Sequence, residues 1–197
     1  IMYEYGDYIE AKRVPYEKMR VFSYRLEKDN DGNLYSKDDT WKSFWEESLN
    51  KASNYNYVVY LDIADFYNQI YHHTVENQLI SCGFPNQIKK AIMSLLELLT
   101  EGVSRGVPIG PHSAHLLAEM TLIPIDESMN LKGFEYCRYS DDIFIFCNTE
   151  NEAEITIFEM AKILDKQQRL ILQKQKTEIF TSSAFKEKYN KILKDNP

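Results

Sequence analysis

Two apolar runs joined by an acidic turn constrain the fold of this chain more than any other part of its sequence. The runs are FEYCRY and IFIFC, and between them lies SDD, which ends in Asp141 and Asp142. Apolar runs joined by so short a turn predict a β-hairpin whose turn lies at the rim of a buried sheet. Acidic groups at such a rim are costly unless a metal ion or a basic group satisfies them. Asp-Asp pairs also occur in ordinary solvated turns, so the hairpin alone leaves both interpretations open.

A separate strand supplies another acidic residue. The segment YNYVVYLD is rich in β-branched and aromatic residues and predicts a strand that ends at Asp62. Alternation along the strand places Val58, Tyr60 and Asp62 on one face. A last strand is predicted at RLILQ or TEIFT, near the end of the chain.

Helices are predicted between and after these strands. One extends from Asn86 to Leu99, and a second, SAHLLAEMTLIPI, follows the loop GVPIGP and is expected to end near Pro124. After the hairpin, Asn148 or Thr149 is expected to cap a helix. The buried stripe of that helix is predicted to consist of Ile157, Ala161 and Leu164.

The first part of the chain carries weaker signals. KDNDGN predicts a polar turn between two short strands in VFSYRL and LYS. From Thr40, the apolar residues Trp41, Phe44 and Trp45 recur at helical spacing and predict an amphipathic helix capped by Thr40.

The order strand, helices, strand, strand, helix, strand is the ferredoxin-like pattern, so we expect an α+β fold built on an antiparallel sheet with helices on one face. In this arrangement the first and third strands are antiparallel neighbours. Asp62 is therefore expected to face Asp141 and Asp142, although about 80 residues separate them in the sequence.

Composition limits the class of protein. With 197 residues, 44% of them hydrophobic, the chain predicts one globular domain. Its three cysteines, Cys82, Cys137 and Cys147, form no CxxC pair, which favours a reducing, cytoplasmic setting. No run approaches the ~20 apolar residues of a membrane span, so a soluble protein without a membrane partner is expected.

The net charge of −7 argues against a broad nucleic-acid-binding face. Basic residues nevertheless cluster towards the two ends of the chain: Lys12, Arg13, Lys18, Arg20 and Arg25, and then Lys174, Lys176, Lys186, Lys188, Lys191 and Lys194. Metal-binding carboxylates also count as negative until their ions are bound. A sequence that begins at Ile1 rather than Met is compatible with a piece of a longer protein that carries further basic segments.

The predicted acidic cluster has chemistry of its own. Carboxylate oxygens are hard ligands that suit Mg²⁺, with Mn²⁺ as a substitute. Two such ions can activate an attacking hydroxyl and stabilise the leaving oxygen in phosphoryl transfer. The sequence therefore predicts a site for two metal ions that involves Asp62, Asp141 and Asp142.

Four motifs in order resemble the reverse transcriptase family, over roughly residues 57–180. They are YLDIADFYNQI, which resembles the segment with the strand-end Asp; RGVPIGPHSAHLLAEM, which resembles the G-x-P-Q-G-x-x-x-S-P segment; YSDD, which resembles the YxDD box; and LILQKQKTEIF, which resembles the downstream strand with its Lys-Thr pair. The resemblance implies a right-hand polymerase palm at residues 55–182, with partial fingers or an N-terminal extension at 1–54 and the start of a thumb or a tail at 183–197.

The resemblance also implies roles for individual residues. Asp62, Asp141 and Asp142 would be catalytic and would bind the metal ions, with the Ile63 main chain beside them. Tyr67 would be the aromatic steric gate that clashes with a 2′-OH, so that deoxynucleotides are preferred.

The remaining implied contacts concern the substrates. Nucleotide-binding residues would be Ala64, Asp65, Phe66, Tyr67, Gly110, Pro111 and Lys176; primer or template contacts would come from Tyr139, Ser140 and Ile109; and fingers-type triphosphate contacts from Arg20 and Lys18. The partners would be dNTPs, an RNA template or noncoding RNA and a DNA product, with a homo-oligomer or a partner protein as further options.

The sequence departs from the family pattern in the third motif. Ile109 replaces the usual Gln, and Ala114 and His115 replace the usual Ser-Pro. The GVPIGP variant resembles bacterial reverse transcriptases of the abortive-infection and phage-defence groups, distantly related to retron and group II intron enzymes. Template-independent synthesis and protein priming therefore stay open.

Other readings compete with a polymerase. A catalytically idle palm that serves as a scaffold in an RNA-protein defence complex is the main alternative, and the intact carboxylates disfavour it. A nucleotide cyclase lacks support because no GGDEF-like hairpin is present. His112 and His115 lie three residues apart, but acidic or cysteine companions for a zinc site are missing.

Overall fold

Four antiparallel strands form the centre of the fold in the computed structural model, which describes residues 1–38, 40–110 and 112–195. The strands are β1 (Tyr57–Asp62), β2 (Glu135–Tyr139), β3 (Asp142–Cys147) and β4 (Glu178–Thr181). Their order in the sheet is β2-β3-β1-β4, so β1 and β3 are neighbours as the ferredoxin-like pattern predicts.

Helices fill the segments between the strands. They are α1 (Met2–Glu10), α2 (Thr40–Ala52), α3 (Phe66–Gln69), α4 (His72–Cys82), α5 (Asn86–Leu99), α6 (His112–Leu131), α7 (Glu150–Gln168) and α8 (Ser182–Asp195). The predicted limits of α5 are confirmed. Thr149 caps α7, since its side chain accepts a hydrogen bond from the Glu152 amide at 3.1 Å. None of these helices has the length and apolar character needed to cross a lipid bilayer.

Helices cover both faces of the sheet. Val59 and Leu61 of β1 belong to the larger core, which the helices α4 to α7 complete on one face. Val58 and Phe144 point to the opposite face, where α2 and α8 pack over them. The expected arrangement with helices on one face is therefore correct only for the segment 55–182, because the flanking segments contribute α2 and α8 to the other face.

Helix α6 continues past Pro124 and ends at Leu131, so the prediction that it ends near Pro124 is wrong. An internal proline removes one main-chain hydrogen bond and costs about 3 kcal/mol. Most of α6 is buried in the core, from Ala114 to Met129. This extensive packing outweighs the local cost of the proline.

The buried stripe of α7 is rotated from the predicted one. Ala161 is exposed and Ile157 is half-buried. The buried residues of the helix are instead Ala153, Thr156, Met160, Ile163, Leu164 and Gln168. Leu164 was predicted correctly. The spacing of large apolar residues does not identify Ala153 and Thr156, which are small or polar, as part of the face that packs on the sheet.

The N-terminal segment contains isolated bridges where two short strands were predicted. Leu26 pairs with Tyr35, and Val21 pairs with Arg138 of β2. Near the other end, Leu172 makes one bridge to Ile63, and the regular strand β4 forms in TEIFT. Of the two predicted positions for the last strand, TEIFT is therefore the correct one.

The basic residues near the start do not form a free basic surface. Arg13 and Arg25 are buried, and both pair with Glu10. Arg20 pairs with Glu135 at 2.8 Å. Much of the positive charge near the N-terminus is therefore neutralised inside the fold.

Candidate active site

The three predicted acidic residues lie at one edge of the sheet. Asp62 ends β1, and Asp142 begins β3 directly opposite it in the antiparallel register. Asp141 follows Ser140 in the two-residue connection between β2 and β3. Asp62 is 5% exposed, whereas Asp141 and Asp142 are half-buried. The strand order thus brings together carboxylates that are far apart in the sequence.

Hydrogen bonds from two directions hold the connection that carries Asp141. Ser140 has a φ of 55°, the left-handed conformation that tight hairpin turns require and that most residues avoid. Its amide donates to Ser23 Oγ at 2.9 Å, and its carbonyl accepts from Arg138 Nη1 at 3.0 Å. The main chain before Asp141 is therefore fixed by the N-terminal segment as well as by β2.

A buried ion-pair network lies behind this turn. The Arg138 side chain is fully buried and pairs with Asp126 at 2.6 Å and Glu119 at 3.1 Å. Arg13 also pairs with Glu119, at 2.8 Å, and Ser23 Oγ donates to the same carboxylate at 2.6 Å. Two arginines balance two acidic residues, so these buried charges are paired and hydrogen-bonded.

Two polar side chains contact the carboxylates at the rim. Tyr60 donates its hydroxyl proton to Asp142 Oδ1 at 2.6 Å. Lys176 Nζ lies 2.7 Å from Asp62 Oδ2. The chain reaches this position because the Gln173 amide donates to the Asp62 carbonyl at 2.8 Å, and a short 3-10 turn, Lys174–Lys176, follows. Lys176 therefore lies at the acidic edge, in contact with Asp62.

Burial and nearby negative charge destabilise the charged forms of Asp141 and Asp142. Burial raises the pKa of Asp141, and the charge of Asp62 raises it further. Burial likewise raises the pKa of Asp142, and the charges of Asp141 and Asp62 add to this effect. The hydrogen bond to Asp62 raises the pKa of Lys176. The rim therefore carries three carboxylates close to one ammonium group.

The three carboxylates at the rim are suitable ligands for a hard divalent cation, but two of them already contact other side chains of the chain. Carboxylate oxygens at a rigid sheet edge are the ligand type that Mg²⁺ and Mn²⁺ take. Mutual repulsion among the three carboxylates is the observation that favours a cation here. Across residues 1–38, 40–110 and 112–195, however, no three His, Cys, Asp or Glu side chains are grouped so as to hold a metal ion. Asp62 and Asp142 instead engage Lys176 and Tyr60.

A cluster of aromatic side chains lies beside the acidic edge. The Tyr67 hydroxyl and His115 Nδ1 are 2.7 Å apart. The Tyr24 ring stacks on the His115 ring, with centroids separated by 4.2 Å. Tyr139 packs against Trp41 and Tyr24, so its ring is part of this cluster.

The residues after β1 are partly engaged in main-chain contacts. The Ala64 amide donates to the Ile171 carbonyl at 2.8 Å, so this amide already has a partner. Asp65 adopts a left-handed φ of 48°, and its carboxylate accepts from the Asn68 side chain. The Phe66 side chain is buried in the core. Of the four residues predicted to contact nucleotide here, Phe66 is buried, Ala64 and Tyr67 are half-buried, and Asp65 is exposed.

The remaining predicted contacts are spread around the site. Ile109 is 69% exposed, and Gly110 is exposed beside it, whereas Pro111 lies outside the described residues. Arg20 is held by Asn130 and Glu135, at the far end of β2 from the acidic turn. Lys18 is exposed in a 3-10 turn. The structure therefore does not bring Arg20 to the carboxylates.

Sequence reasoning missed several residues that shape this site. Tyr60 could have been found, because it precedes Asp62 by two residues on the same face of β1. Arg138 stands in an apolar strand, and a buried charge there signals a buried partner. No local signal points to Ser23 or Tyr24, because their contacts are with distant parts of the chain.

The chain is similar in fold to a solved structure and matches the sequence model of one protein family. The chain superimposes on the structure of telomerase from Candida albicans in complex with the TWJ fragment of telomeric RNA, with a TM-score of 0.57 and 12% sequence identity. The similarity covers 92% of this chain and 34% of the telomerase chain, so this chain spans about a third of that protein. At this identity the similarity establishes the fold alone. A comparison with curated protein sequences gives no match.

The fold and the acidic edge define a palm-like α+β protein. The sequence model of the reverse transcriptase (RNA-dependent DNA polymerase) family matches residues 12–192. The chain belongs to this family, and the resemblance of its four motifs is confirmed.

Proposed function

We propose that this chain is the nucleotidyl-transferring part of an RNA-directed DNA polymerase, which adds deoxynucleotides to a primer hydroxyl. The observation that carries the proposal is the antiparallel register that sets Asp62 opposite Asp142, with Asp141 in the adjoining turn. Family membership supports the same reaction class. The RNA in the telomerase structure supports an RNA template as the partner.

Asp62, Asp141 and Asp142 are the residues that would hold Mg²⁺ or Mn²⁺, with the Ile63 main chain beside them. Two such ions, when bound, supply activation of the attacking hydroxyl and neutralisation of the leaving oxygen. Metal binding would require Asp62 and Asp142 to exchange their contacts with Lys176 and Tyr60. A released Lys176 would then be placed to neutralise the charge of the departing pyrophosphate.

The substrate-binding roles form the second part of the proposal. Tyr67 lies beside the acidic edge on α3, where it would clash with a 2′-OH and favour dNTPs over rNTPs. The exposed loop that carries Ile109 and Gly110 would contact the template or the incoming base. Tyr139 and Ser140 would lie near the primer end. The division into fingers at 1–54, palm at 55–182 and thumb at 183–197 also belongs to this proposal.

The test is incorporation of each labelled dNTP in Mg²⁺ buffer, with and without an RNA template, by wild type and Asp141→Asn. Loss of one metal-binding carboxylate should lower incorporation by about 10³-fold or more, on the scale of losing an electrostatic catalytic group. Asp165→Asn is the matched control. Asp165 is an exposed carboxylate on α7 that pairs with Arg169.

Each outcome has a distinct meaning. Incorporation that depends on Asp141 and on added RNA supports the proposal. Incorporation that depends on Asp141 but not on RNA supports template-independent or protein-primed synthesis. Equal incorporation by wild type and Asp141→Asn contradicts the assignment of the carboxylates.

An idle palm that acts as a scaffold is the second candidate function. The ion pair between Lys176 and Asp62 favours it, because that pair provides a counter-charge within the chain. This candidate predicts that wild type incorporates no nucleotide and binds RNA equally well before and after Asp141→Asn. Binding of labelled RNA by both proteins distinguishes the two candidates.

A role in bacterial defence against phage is the most specific part of the proposal, and the GVPIGP variant of the third motif supports it. Expression of the protein in bacteria should reduce phage plaque numbers. Asp141→Asn should abolish the reduction if DNA synthesis is required. Equal protection by both proteins would support the scaffold.

A further inference from the structure

His115 lies against the side chain proposed as the steric gate. It is carried by α6, whereas Tyr67 is carried by α3, and 48 positions separate them in the sequence. The Tyr67 hydroxyl and His115 Nδ1 are 2.7 Å apart, and the two rings meet edge to face with centroids at 5.7 Å. This hydrogen bond joins Tyr67, which lies five residues after the end of β1, to the part of the third motif that departs from the family pattern.

Tyr24 fixes His115 from another direction. The two rings are nearly parallel, with an angle of 2° between their planes and centroids 4.2 Å apart. Tyr24 itself has a φ of 45°, which a bulky residue adopts only when its surroundings hold it there. His115 is therefore stacked on a constrained ring while it is hydrogen-bonded to Tyr67.

The protonation of His115 suits this contact. Burial lowers the pKa of His115, and the nearby His112 lowers it further. The ring is then neutral at neutral pH, and a neutral Nδ1 can accept the hydrogen of the Tyr67 hydroxyl. Burial also raises the pKa of Tyr67, so its hydroxyl keeps this proton.

We propose that His115 is a specificity-determining residue, which holds the Tyr67 ring in place and thereby sets the preference for deoxyribonucleotides over ribonucleotides. This inference rests on the proposed function and deepens it. A gate that works by a clash with the 2′-OH excludes a ribonucleotide only while the ring cannot turn aside. The hydrogen bond between Tyr67 and His115 opposes that movement. The stack of Tyr24 on His115 keeps the histidine in position to make this bond.

The size of the effect follows from the two contacts that His115 makes with Tyr67, the hydrogen bond and the edge-to-face ring contact. Together, the free energies of one net hydrogen bond and one aromatic contact correspond to about a tenfold change in an equilibrium constant. His115→Ala should therefore lower the ratio of kcat/KM for dNTP to that for rNTP by about tenfold. The change in the ratio should arise mainly from a higher kcat/KM for rNTP, because a ring that can turn aside no longer clashes with the 2′-OH.

Three further variants identify the cause. His115→Asn keeps a hydrogen-bond acceptor and should restore part of the preference. Tyr67→Phe keeps the ring and removes the hydroxyl, so adding His115→Ala to it should change the ratio less than His115→Ala does alone. His73→Ala is the matched control, because His73 is an exposed histidine on α4 whose side chain contacts Asn77.

Single-nucleotide incorporation of dATP and ATP, opposite a templating uridine, gives the ratio for each variant. A ratio for His115→Ala within twofold of wild type, or an equal fall for His73→Ala, overturns the inference. Equilibrium binding of dATP and ATP separates this failure from failure of the proposed function. A binding preference that His115→Ala reduces, without any incorporation by wild type, overturns the catalysis and supports the role of His115. Absence of any His115-dependent preference in both assays overturns the role.

Discussion

Two groups of acidic side chains lie on either side of the turn between β2 and β3, and they obtain their counter-charges differently. Behind the turn, Glu119 and Asp126 are fully buried and face Arg138 and Arg13. At the rim, three carboxylates face Lys176, which is largely exposed. The interior group is balanced within the chain. The rim group has excess negative charge, and this difference separates the interior ion network from the proposed cation site.

The largest expected effect is on the interior group. Arg138→Met should lower the free energy of unfolding by about 3–5 kcal/mol, because it leaves Asp126 buried without its ion-pair partner. Denaturant unfolding monitored by circular dichroism measures the change. Arg169→Met is the control, because Arg169 forms an exposed pair with Asp165 and should matter by less than about 1 kcal/mol. Equal effects of the two variants would show that the interior network is not special.

Glu119→Gln should destabilise the protein by about 2–3 kcal/mol at neutral pH, the range for hydrogen bonds to a charged group. Burial acts to raise the pKa of Glu119, but the charges of Arg138 and Arg13 outweigh it, so the pKa is lowered in the folded state. The contribution is therefore present above the ordinary glutamate pKa of about 4.3 and is lost as pH falls through the lower folded value.

Unfolding free energies of wild type and Glu119→Gln from neutral pH down to acid test this dependence. The difference between the two proteins should shrink as the pH falls. A constant difference across the range would mean that Glu119 contributes through packing and not through its charge.

The rim group should respond to cations in solution. Mg²⁺ at ten times its Kd should raise the free energy of unfolding by about 1.4 kcal/mol, because it binds the folded state. Thermal unfolding with MgCl₂, and with NaCl at equal ionic strength, measures this effect. Asp141→Asn should lose the increase, and Asp165→Asn, which removes an exposed carboxylate on α7, should retain it. An equal increase in Asp141→Asn would place the cation elsewhere.

Lys176→Met should have the smallest effect on stability, below about 1 kcal/mol, because the side chain is exposed. It should nevertheless lower the apparent Kd for Mg²⁺ by about fivefold, since one positive charge a few ångströms from the carboxylates is removed. Lys188→Met is the control, because Lys188 is about as exposed as Lys176 and forms an ion pair with Glu178, away from the acidic edge. Weaker Mg²⁺ binding in Lys176→Met would mean that the lysine supports the site and does not compete with the cation.

The rim could be predicted from the sequence because each of its carboxylates is tied to a regular element. Asp62 ends a strand with a clear alternation, and Asp141 and Asp142 follow an apolar strand directly. Once the strands are identified, the ferredoxin-like order determines which of them are neighbours. Helix α5 was equally predictable, since Pro85 and Gly102 flank a periodic apolar segment.

The interior network could not be predicted in the same way. Arg13 and Ser23 lie in a segment with little regular structure, and their contacts with Glu119 span 106 and 96 positions. The sequence shows these residues only as members of a basic or polar stretch. The prediction that α6 ends near Pro124 failed for a related reason. Tertiary packing of α6 outweighs the local tendency of proline to end a helix.

The contact between Ser23 and Ser140 has a consequence for modularity. The hydroxyl that accepts the hydrogen bond from the Ser140 amide lies in the segment proposed as fingers, whereas the turn lies in the segment proposed as palm. A palm transplanted alone, from residue 55 onward, would leave that amide and the Glu119 carboxylate without this partner. The acidic edge therefore depends on both parts of the chain. Recombination between family members at residue 55 should preserve the turn only when the N-terminal part supplies a hydroxyl at the position of Ser23.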